Sequence, residues 1–253
     1  MNMHEYLERK RGWLTGAKRF FTPSGLSSEH ILAAYQFKGM SSEAAALLDL
    51  SGRNFDLTKG SQTYNGQSHT PSWSSASGFW FDAVYQGLSG YLDNSSLNSQ
   101  AIRCVVVRYT DLTQDNRGWL VTAGGDNGRC QVTCATSVAN GDTVSNYPGP
   151  GFVWYDHHWR STSTFYAAAV VGANVGTSNQ LYINGVGKNN TDRDARTDKS
   201  SGDSWRTFGN IHAPVSNLNN AVHAGKTIIC AAFYDVALTA EQHAEVASMM
   251  LEI

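Results

Sequence analysis

The densest grouping of side chains fit for chemistry is Tyr147-Pro148-Gly149-Pro150-Gly151-Phe152-Val153-Trp154-Tyr155-Asp156-His157-His158-Trp159-Arg160. Aromatic faces beside an acid, histidines and an arginine suit either a sugar ring or a protein partner. Tyr147, Trp154, Tyr155, Asp156, His157, Trp159 and Arg160 are therefore the candidate ligand-binding residues. The competing reading is that these rings cap the edge of a sheet. Turn residues in the first half are expected to interrupt regular strand. Asp156-His157-His158 is not expected to grip a metal, because adjacent residues on a strand face opposite ways.

Carboxylate chemistry is poorly supplied. Glutamates occur at 5, 8, 29 and 43 and then not before 241, 245 and 252, so the long central body works with aspartate alone. Within Thr191-Asp192-Arg193-Asp194-Ala195-Arg196-Thr197-Asp198, acids alternate with bases in a polar stretch, the pattern of a solvated, self-neutralising loop. Asp192, Asp194 and Asp198 offer oxygen ligands to calcium, but the interleaved arginines oppose it, and no metal or cofactor is expected. Cys104, Cys130, Cys134 and Cys230 sit in apolar or β-branched runs rather than a dense framework. Cys130 and Cys134 fall on one face of a strand about 13 Å apart, too far to bridge. They read as buried free thiols of a reducing compartment. Gly225-Lys226-Thr227 mimics the end of a P-loop, but Asn220 stands where the first glycine is needed and a strand follows. Gly87-Leu88-Ser89-Gly90 lacks the spacing of a nucleophile elbow.

Composition narrows the class. The chain has 253 residues, 16% charged and 11% aromatic, with 24 glycines and 5 prolines, which excludes disorder, collagen and long-helix proteins. The net charge of -2 argues against nucleic acid as a partner. That charge is uneven: Arg9, Lys10, Arg11, Lys18 and Arg19 oppose only Glu5 and Glu8 in residues 1–20, leaving +3 there and -5 elsewhere. The first residues lack an apolar stretch behind their charges, so no export leader is expected and the sequons at Asn94 and Asn189 stay silent. The longest apolar run, Phe165 to Ala173, is too short to span a bilayer, so no membrane insertion is expected.

The elements that would position these residues are mainly strands. Residues 3–11 have helical character and precede Gly12, Gly16 and Thr22-Pro23-Ser24-Gly25, an arm over residues 1–27 ahead of a single domain over 28–253. Strands are expected at Ile31 to Phe37, Gly78 to Val84, Ile102 to Tyr109, Gly118 to Thr122, Cys130 to Thr136, Thr164 to Val171, Gln180 to Asn184, Trp205 to Gly209 and Thr227 to Tyr234. Ile183-Asn184-Gly185-Val186 predicts a type I′ hairpin turn. Ile102 to Val107 reads as a strand buried on both faces. Thr239-Ala240-Glu241-Gln242 is a capping box opening a helix over about 240–251, the one convincing helix of the body. Trp73, Trp80, Trp119 and Trp205, in or beside strands, read as core.

Four stretches carry a resemblance. Ala33-Ala34-Tyr35-Gln36-Phe37 followed by Leu48-Asp49-Leu50-Ser51-Gly52-Arg53-Asn54-Phe55-Asp56-Leu57 resembles the opening of laminin-G-like members of the concanavalin A-like lectin/glucanase superfamily. Leu181-Tyr182-Ile183-Asn184-Gly185-Val186 is similar to that family's hairpin, and Phe208-Gly209-Asn210 to one of its strand ends. Ala231 to Gln242 is similar to its closing strand and helix. The resemblance covers roughly residues 31 to 251 and implies an all-β, two-sheet antiparallel jelly-roll sandwich with a short N-terminal helical arm and a short C-terminal helix. The family's glycosidases need two glutamates near one another on a strand, and none exists between 43 and 241. The family's acid pair on the closing strand is replaced by Ile229 and Cys230. Catalytic residues are accordingly not expected.

Together these features lead to the expectation of a non-enzymatic virion structural protein of a tailed bacteriophage, decorating capsid or tail. Tyr6, Leu7, Arg9, Lys10, Arg11, Trp13, Lys18 and Arg19 form its assembly arm, docking on other virion proteins or on further copies of the chain in a homo-oligomer. The second reading is a glycan-binding module for host-surface attachment, and the weakest is a polysaccharide-degrading enzyme.

Overall fold

In the computed structural model, the residues described are 21–60, 63–64, 67–68, 70–83, 86–91, 102–112, 117–125, 128–137, 141–149, 157–161, 166–174, 180–188, 205–209 and 225–253. In chain order the strands are β1 (Ile31–Gln36), β2 (Thr58–Lys59), β3 (Thr63–Tyr64), β4 (Gln67–Ser68), β5 (Ser72–Ser74), β6 (Gly78–Phe81), β7 (Gly87–Tyr91), β8 (Cys104–Thr110), β9 (Arg117–Gly125), β10 (Gly128–Ser137), β11 (Gly141–Gly149), β12 (His157–Ser161), β13 (Ala169–Asn174), β14 (Gln180–Ile183), β15 (Val186–Lys188), β16 (Trp205–Gly209) and β17 (Lys226–Tyr234). The helices are α1 (Glu43–Ala46) and α2 (Ala240–Leu251), with one 3-10 turn at Ser28–His30.

All pairings are antiparallel, and apart from the β3–β4 hairpin they build two sheets. The first runs β15-β14-β13-β8-β17-β6-β5, with β1 also pairing β17; the second runs β12-β11-β10-β9-β16-β7-β2. Strand β17 is the hub: every residue is buried, as expected of a strand covered on both faces. Its register shifts between Ile228 and Cys230 on the β8 side. On the other side Ile229 O accepts from Phe37 N (2.8 Å), where β1 ends and β6 takes over. The close fit there leaves no room at Gly78: its φ is +95°, and a Cβ would stand 2.5 Å from Ile228 O.

The two faces of the first sheet bury different sets. Val105, Val107, Tyr109, Phe79, Phe81, Ile228 and Phe233 meet Leu88, Leu120, Val121 and Phe208 of the second sheet in one apolar core. Phe208 packs edge-on against Tyr35 and Phe37, each with ring centroids 5.5 Å away, so the sheets lie face to face through aromatic contacts. Leu120 is the extra residue of a β-bulge in β9, since Val132 pairs with Val121 and Thr133 with Trp119; this lets Leu120 and Val121 both enter the core. On the far face, Cys104, Val106, Val170, Ala232 and Tyr234 pack against Val246, Ala247 and Met250 of α2. A 12-residue helix covers this face because its capping box is complete: Gln242 N donates to Thr239 Oγ1 (3.2 Å) and Thr239 N to Gln242 Oε1 (3.0 Å).

The expected hairpin forms, with φ of +50° at Asn184 and +77° at Gly185, and its tip abuts α2: a Cβ on Gly185 would sit 2.6 Å from Ala244 Cα. Trp73 is half-buried against the core and donates its indole N–H to Phe37 O at 2.8 Å. Three long strands differ from the sequence reading. β7, β11 and β12 are rich in glycine and polar residues and lack the apolar alternation that marks a strand. A second helix, α1, is also present, capped by Ser42 Oγ accepting from Ala45 N at 3.2 Å. From the expected arm, residues 21–27 are described. Phe21 is fully buried, Tyr234 OH donates to Phe21 O (2.7 Å), and Ser24 N donates to Glu245 Oε2 (2.8 Å), tying the segment to β17 and α2. Tyr6, Leu7, Arg9, Lys10, Arg11, Trp13, Lys18 and Arg19 lie outside the described residues.

Candidate functional site

One constellation has the residue types of nucleophilic catalysis. Cys104 on β8, Asn174 on β13 and His243 on α2 converge on the helix-covered face of the first sheet, beside Tyr182 of β14, whose ring stacks on His243 at 3.8 Å. His243 Nε2 lies 3.0 Å from Asn174 Oδ1 and 3.8 Å from Cys104 Sγ. Asn174 also accepts from Leu238 N (3.1 Å) and donates through Nδ2 to Leu238 O (2.7 Å), which fixes its amide orientation. Its Oδ1 therefore faces Nε2, and that nitrogen must carry the hydrogen. A nitrogen already bearing a proton cannot take one from the thiol. Cys104, His243 and Asn174 are 0%, 1% and 3% exposed, sealed from any substrate. Burial holds His243 in its neutral form by lowering its pKa to about 3, and raises that of Tyr182. The group fastens α2 to the sheet; it is not a nucleophile–base pair.

Asp49 belongs to the motif Leu48 to Leu57 and is fully buried. Its carboxylate accepts from Ala34 N (3.0 Å), Ser51 N (2.9 Å), Ser51 Oγ (2.7 Å) and Phe55 N (3.2 Å). Asp56 Oδ1 in turn accepts from Asp49 N at 2.8 Å, and Gly52 and Asn54 take φ of +84° and +61° between them. Both acids of the motif are thus occupied in holding a turn against β1. Among the described residues no group of three His, Cys, Asp or Glu side chains is placed to hold a metal ion, and no helix is long and apolar enough to cross a membrane. Asp192, Asp194 and Asp198 lie outside the described residues. Cys104 and Cys230 are buried and form no disulfide, and burial pushes the Cys230 thiol up to about 12.

The described parts of the aromatic segment belong to β11 and β12, the last two strands at one edge of the second sheet. Tyr147 and Pro148 lie within β11, paired with Gln131 and Cys130 of β10, so regular strand reaches further than the turn residues predict. Among the described residues β12 pairs with β11 from Asp142 to Asn146, and Pro148, which lacks an N–H, lies beyond that stretch. His157, Trp159 and Arg160 lie on β12, opposite Asn146, Val144 and Thr143. Trp154, Tyr155 and Asp156 are outside the described residues.

Ladder partners share a sheet face, and every second residue returns to it. The row Leu88, Phe208, Val121, Val132, Asn146, His157 starts from buried core residues and so belongs to the face towards the first sheet. Gly118, Cys134, Val144 and Trp159 form a parallel row on that same face. The opposite face carries the row Thr58, Ser89, Thr207, Thr122, Gln131, Tyr147. Flanking it are the rows Tyr91, Trp205, Gly124, Arg129, Gly149 and Trp119, Thr133, Ser145, His158, with Arg117, Ala135, Thr143 and Arg160 beyond. The sheet therefore brings Tyr147 and Arg160 to one face and His157 and Trp159 to the other. Sequence reasoning missed that Arg117 shares a row with Arg160 and that Tyr91, Trp205 and Arg129 share another, since each stands on a different strand and only the register aligns them.

No protein-family model matches the chain, and no curated protein matches it in sequence. Solved structures do share its fold. The chain is similar to Trypanosoma rangeli sialidase (TM-score 0.63, 9% identity, 97% of this chain and 38% of that one) and to the same sialidase in complex with sialic acid (TM-score 0.63, 10% identity, 98% and 38%). It is also similar to the botulinum neurotoxin serotype D binding domain (TM-score 0.57, 14% identity, 87% and 52%). The chain thus spans under two-fifths of the sialidases and about half of the toxin domain. At such identities the likeness carries the all-β fold with its two antiparallel sheets.

Proposed function

We propose that this chain is a non-catalytic attachment protein: a concanavalin A-like, laminin-G-like jelly-roll sandwich that recognises a saccharide, carried on a bacteriophage virion by its basic N-terminal arm. The observation that carries the non-catalytic part is the sealing of Cys104, His243 and Asn174 beneath α2, with the hydrogen on the wrong nitrogen for base catalysis. Saccharide recognition is supported by a sheet face with rows of hydroxyl, amide and aromatic residues, the mixture that sugar hydroxyls and ring faces require. The fold it shares with a toxin binding domain fits that role. The arm residues, five bases against two acids over 1–20, suit docking on an assembly of virion proteins or on further copies of the chain.

The experiment is a saccharide array probed with the full chain, with released product followed in parallel. Retention without product is the expected result; an empty array overturns saccharide recognition. Removing residues 1–20, which stops short of the buried Phe21, is expected to abolish incorporation into particles while leaving array binding intact, and normal incorporation overturns the virion role. The sialidase likeness favours a second reading, a polysaccharide-degrading enzyme. Product release abolished by Asp192→Asn or Asp194→Asn would establish it.

A further inference from the structure

Charge is segregated by segment along this chain. Residues 1–20 hold Arg9, Lys10, Arg11, Lys18 and Arg19 against Glu5 and Glu8, whereas residues 21–30 and 235–253 hold Glu29, Asp235, Glu241, Glu245 and Glu252 with neither lysine nor arginine. The fold brings those two acidic stretches together. Ser24 N and Oγ donate to the two oxygens of Glu245 (2.8 and 2.9 Å), Gln242 Nε2 donates to Ser24 O (3.5 Å), and Phe21 is buried in the apolar cluster beneath α2. The root of the basic arm is therefore fastened to the middle of α2, two residues after Arg19.

The side of α2 turned away from the sheet is uncovered among the described residues. His243, Val246, Ala247 and Met250 are buried, while Ala240, Glu241, Ala244, Ser248, Leu251 and Glu252 are exposed, Leu251 by 51%. At helical spacing Ala240, Ala244, Ser248 and Leu251 make one stripe, and Glu241, Glu245 and Glu252 make another beside it. Asp235 is already paired with His30 at 2.8 Å. The bases on this side of the sheet gather at the far end of the helix: Arg108 Nη1 donates to Met250 O (2.7 Å), and Lys38 N donates to Ile229 O (3.3 Å). Lys188 pairs with Leu181, a residue of the core on the other face.

We propose that the outer side of α2 is the docking surface for residues 1–20 of the same chain, its glutamates meeting the arm's arginines and lysines and its Ala240–Leu251 stripe meeting the arm's apolar residues. The inference rests on the reading of residues 1–20 as an assembly arm and names where that arm sits before it meets another protein. The arm's sequence supplies both halves of the match, since Met3, Tyr6, Leu7, Lys10, Trp13 and Leu14 recur at helical spacing among the bases. Reach is no obstacle: α2 is about 18 Å long, and 20 residues span about 30 Å even as a helix. A tether rooted at Phe21 and Ser24 holds the arm over α2 at an effective concentration of about millimolar, which favours its own helix over that of a second copy. Assembly then requires a partner surface that binds the arm more tightly than α2 does.

The test treats the full chain with a carbodiimide, which joins lysine amines to carboxylates in contact, and maps the products by size and peptide mass. Lys10 or Lys18 is expected to be joined to Glu241, Glu245 or Glu252 in product of monomer size, with a yield that falls as salt is added. Ser248→Lys, which sets a base among the glutamates at an exposed position, is expected to speed tryptic cleavage at Arg9–Arg11 roughly fivefold with an unchanged circular dichroism spectrum. Asp111→Asn, which removes an exposed acid beyond the end of β8, is expected to leave that rate unchanged. Should Ser248→Lys unfold, the cross-links of the wild type still decide. Links between arm and α2 found only in product of dimer size overturn the own-chain placement in favour of a neighbouring copy, and arm links confined to carboxylates outside α2 overturn the surface. An arm without links, cut as fast as a free peptide of residues 1–20, overturns the docking altogether. Incorporation into particles is scored separately by removal of residues 1–20, so the assembly reading stands or falls independently of this result.

Discussion

Acidification should weaken the fold through one side chain, His243. In the unfolded chain this imidazole protonates near its ordinary value of 6.5, whereas in the folded protein burial lowers its pKa to about 3. Between those values the unfolded state binds a proton that the native state refuses, so stability is fully present above the unfolded value and is lost as pH falls towards 3. At about pH 5 the loss from this group alone is about 2 kcal/mol relative to about pH 8. The native state does not readily take the proton, because Nε2 already donates to Asn174 Oδ1 and Nδ1 is buried close against the Gly172 backbone, where a Cβ would lie 2.5 Å away. The assay is equilibrium denaturation of the wild type and of His243→Gln at both pH values. The variant starts less stable, having lost its stack on Tyr182, but its stability should fall less on acidification by about 2 kcal/mol. Parallel falls in the two proteins, or a His243 ring seen by NMR to titrate near its ordinary value, would refute the reasoning. The other seven histidines appear in both proteins and cancel in the comparison.

Three further outcomes follow from buried contacts. Asp49→Ala strands four donors around a fully buried site and should cost about 3 kcal/mol or more in denaturant titration; a loss below about 1 kcal/mol would mean water replaces the carboxylate. Gly172→Ala should destabilise by about 1–3 kcal/mol through contact with His243, and His243→Ala in the same chain should relieve part of that cost. Cys104 and Cys230 should resist alkylation in the native protein, as read by peptide mass mapping, and label once the chain is denatured, because Cys230 is fully buried with its thiol pushed up to about 12.

What the sequence made legible follows the strength of its local signals. The Asn184-Gly185 turn, the Thr239–Gln242 capping box and the apolar runs at Cys104–Val107 and Lys226–Tyr234 each encode structure within a few residues, and each forms where expected. β7, β11 and β12 were hidden because the positions they turn towards the first sheet mix single apolar residues with glycine and polar ones, Leu88 with Gly90, Val144 with Asp142 and Asn146, Trp159 with His157, leaving no alternation to read. The motif around Asp49 was visible as a family resemblance, but its physical cause, one carboxylate gathering four donors, is a tertiary fact. Cys104, Asn174 and His243 are far apart in sequence, and nothing local announces their meeting. Candidate site residues grouped by sequence proximity behave differently from residues grouped by register. Tyr147 and Trp159 are neighbours along the chain but fall on opposite faces, whereas Trp205 and Arg129 share a row across two intervening ladders.

Saccharide recognition without catalysis is tested most directly by incubating the full chain with an immobilised polysaccharide and following bound protein and liberated sugar together by mass spectrometry. The account predicts protein retained on the matrix, released by salt, with no sugar liberated over many hours. Liberated sugar that scales with protein concentration, or protein that never binds the matrix, would contradict it.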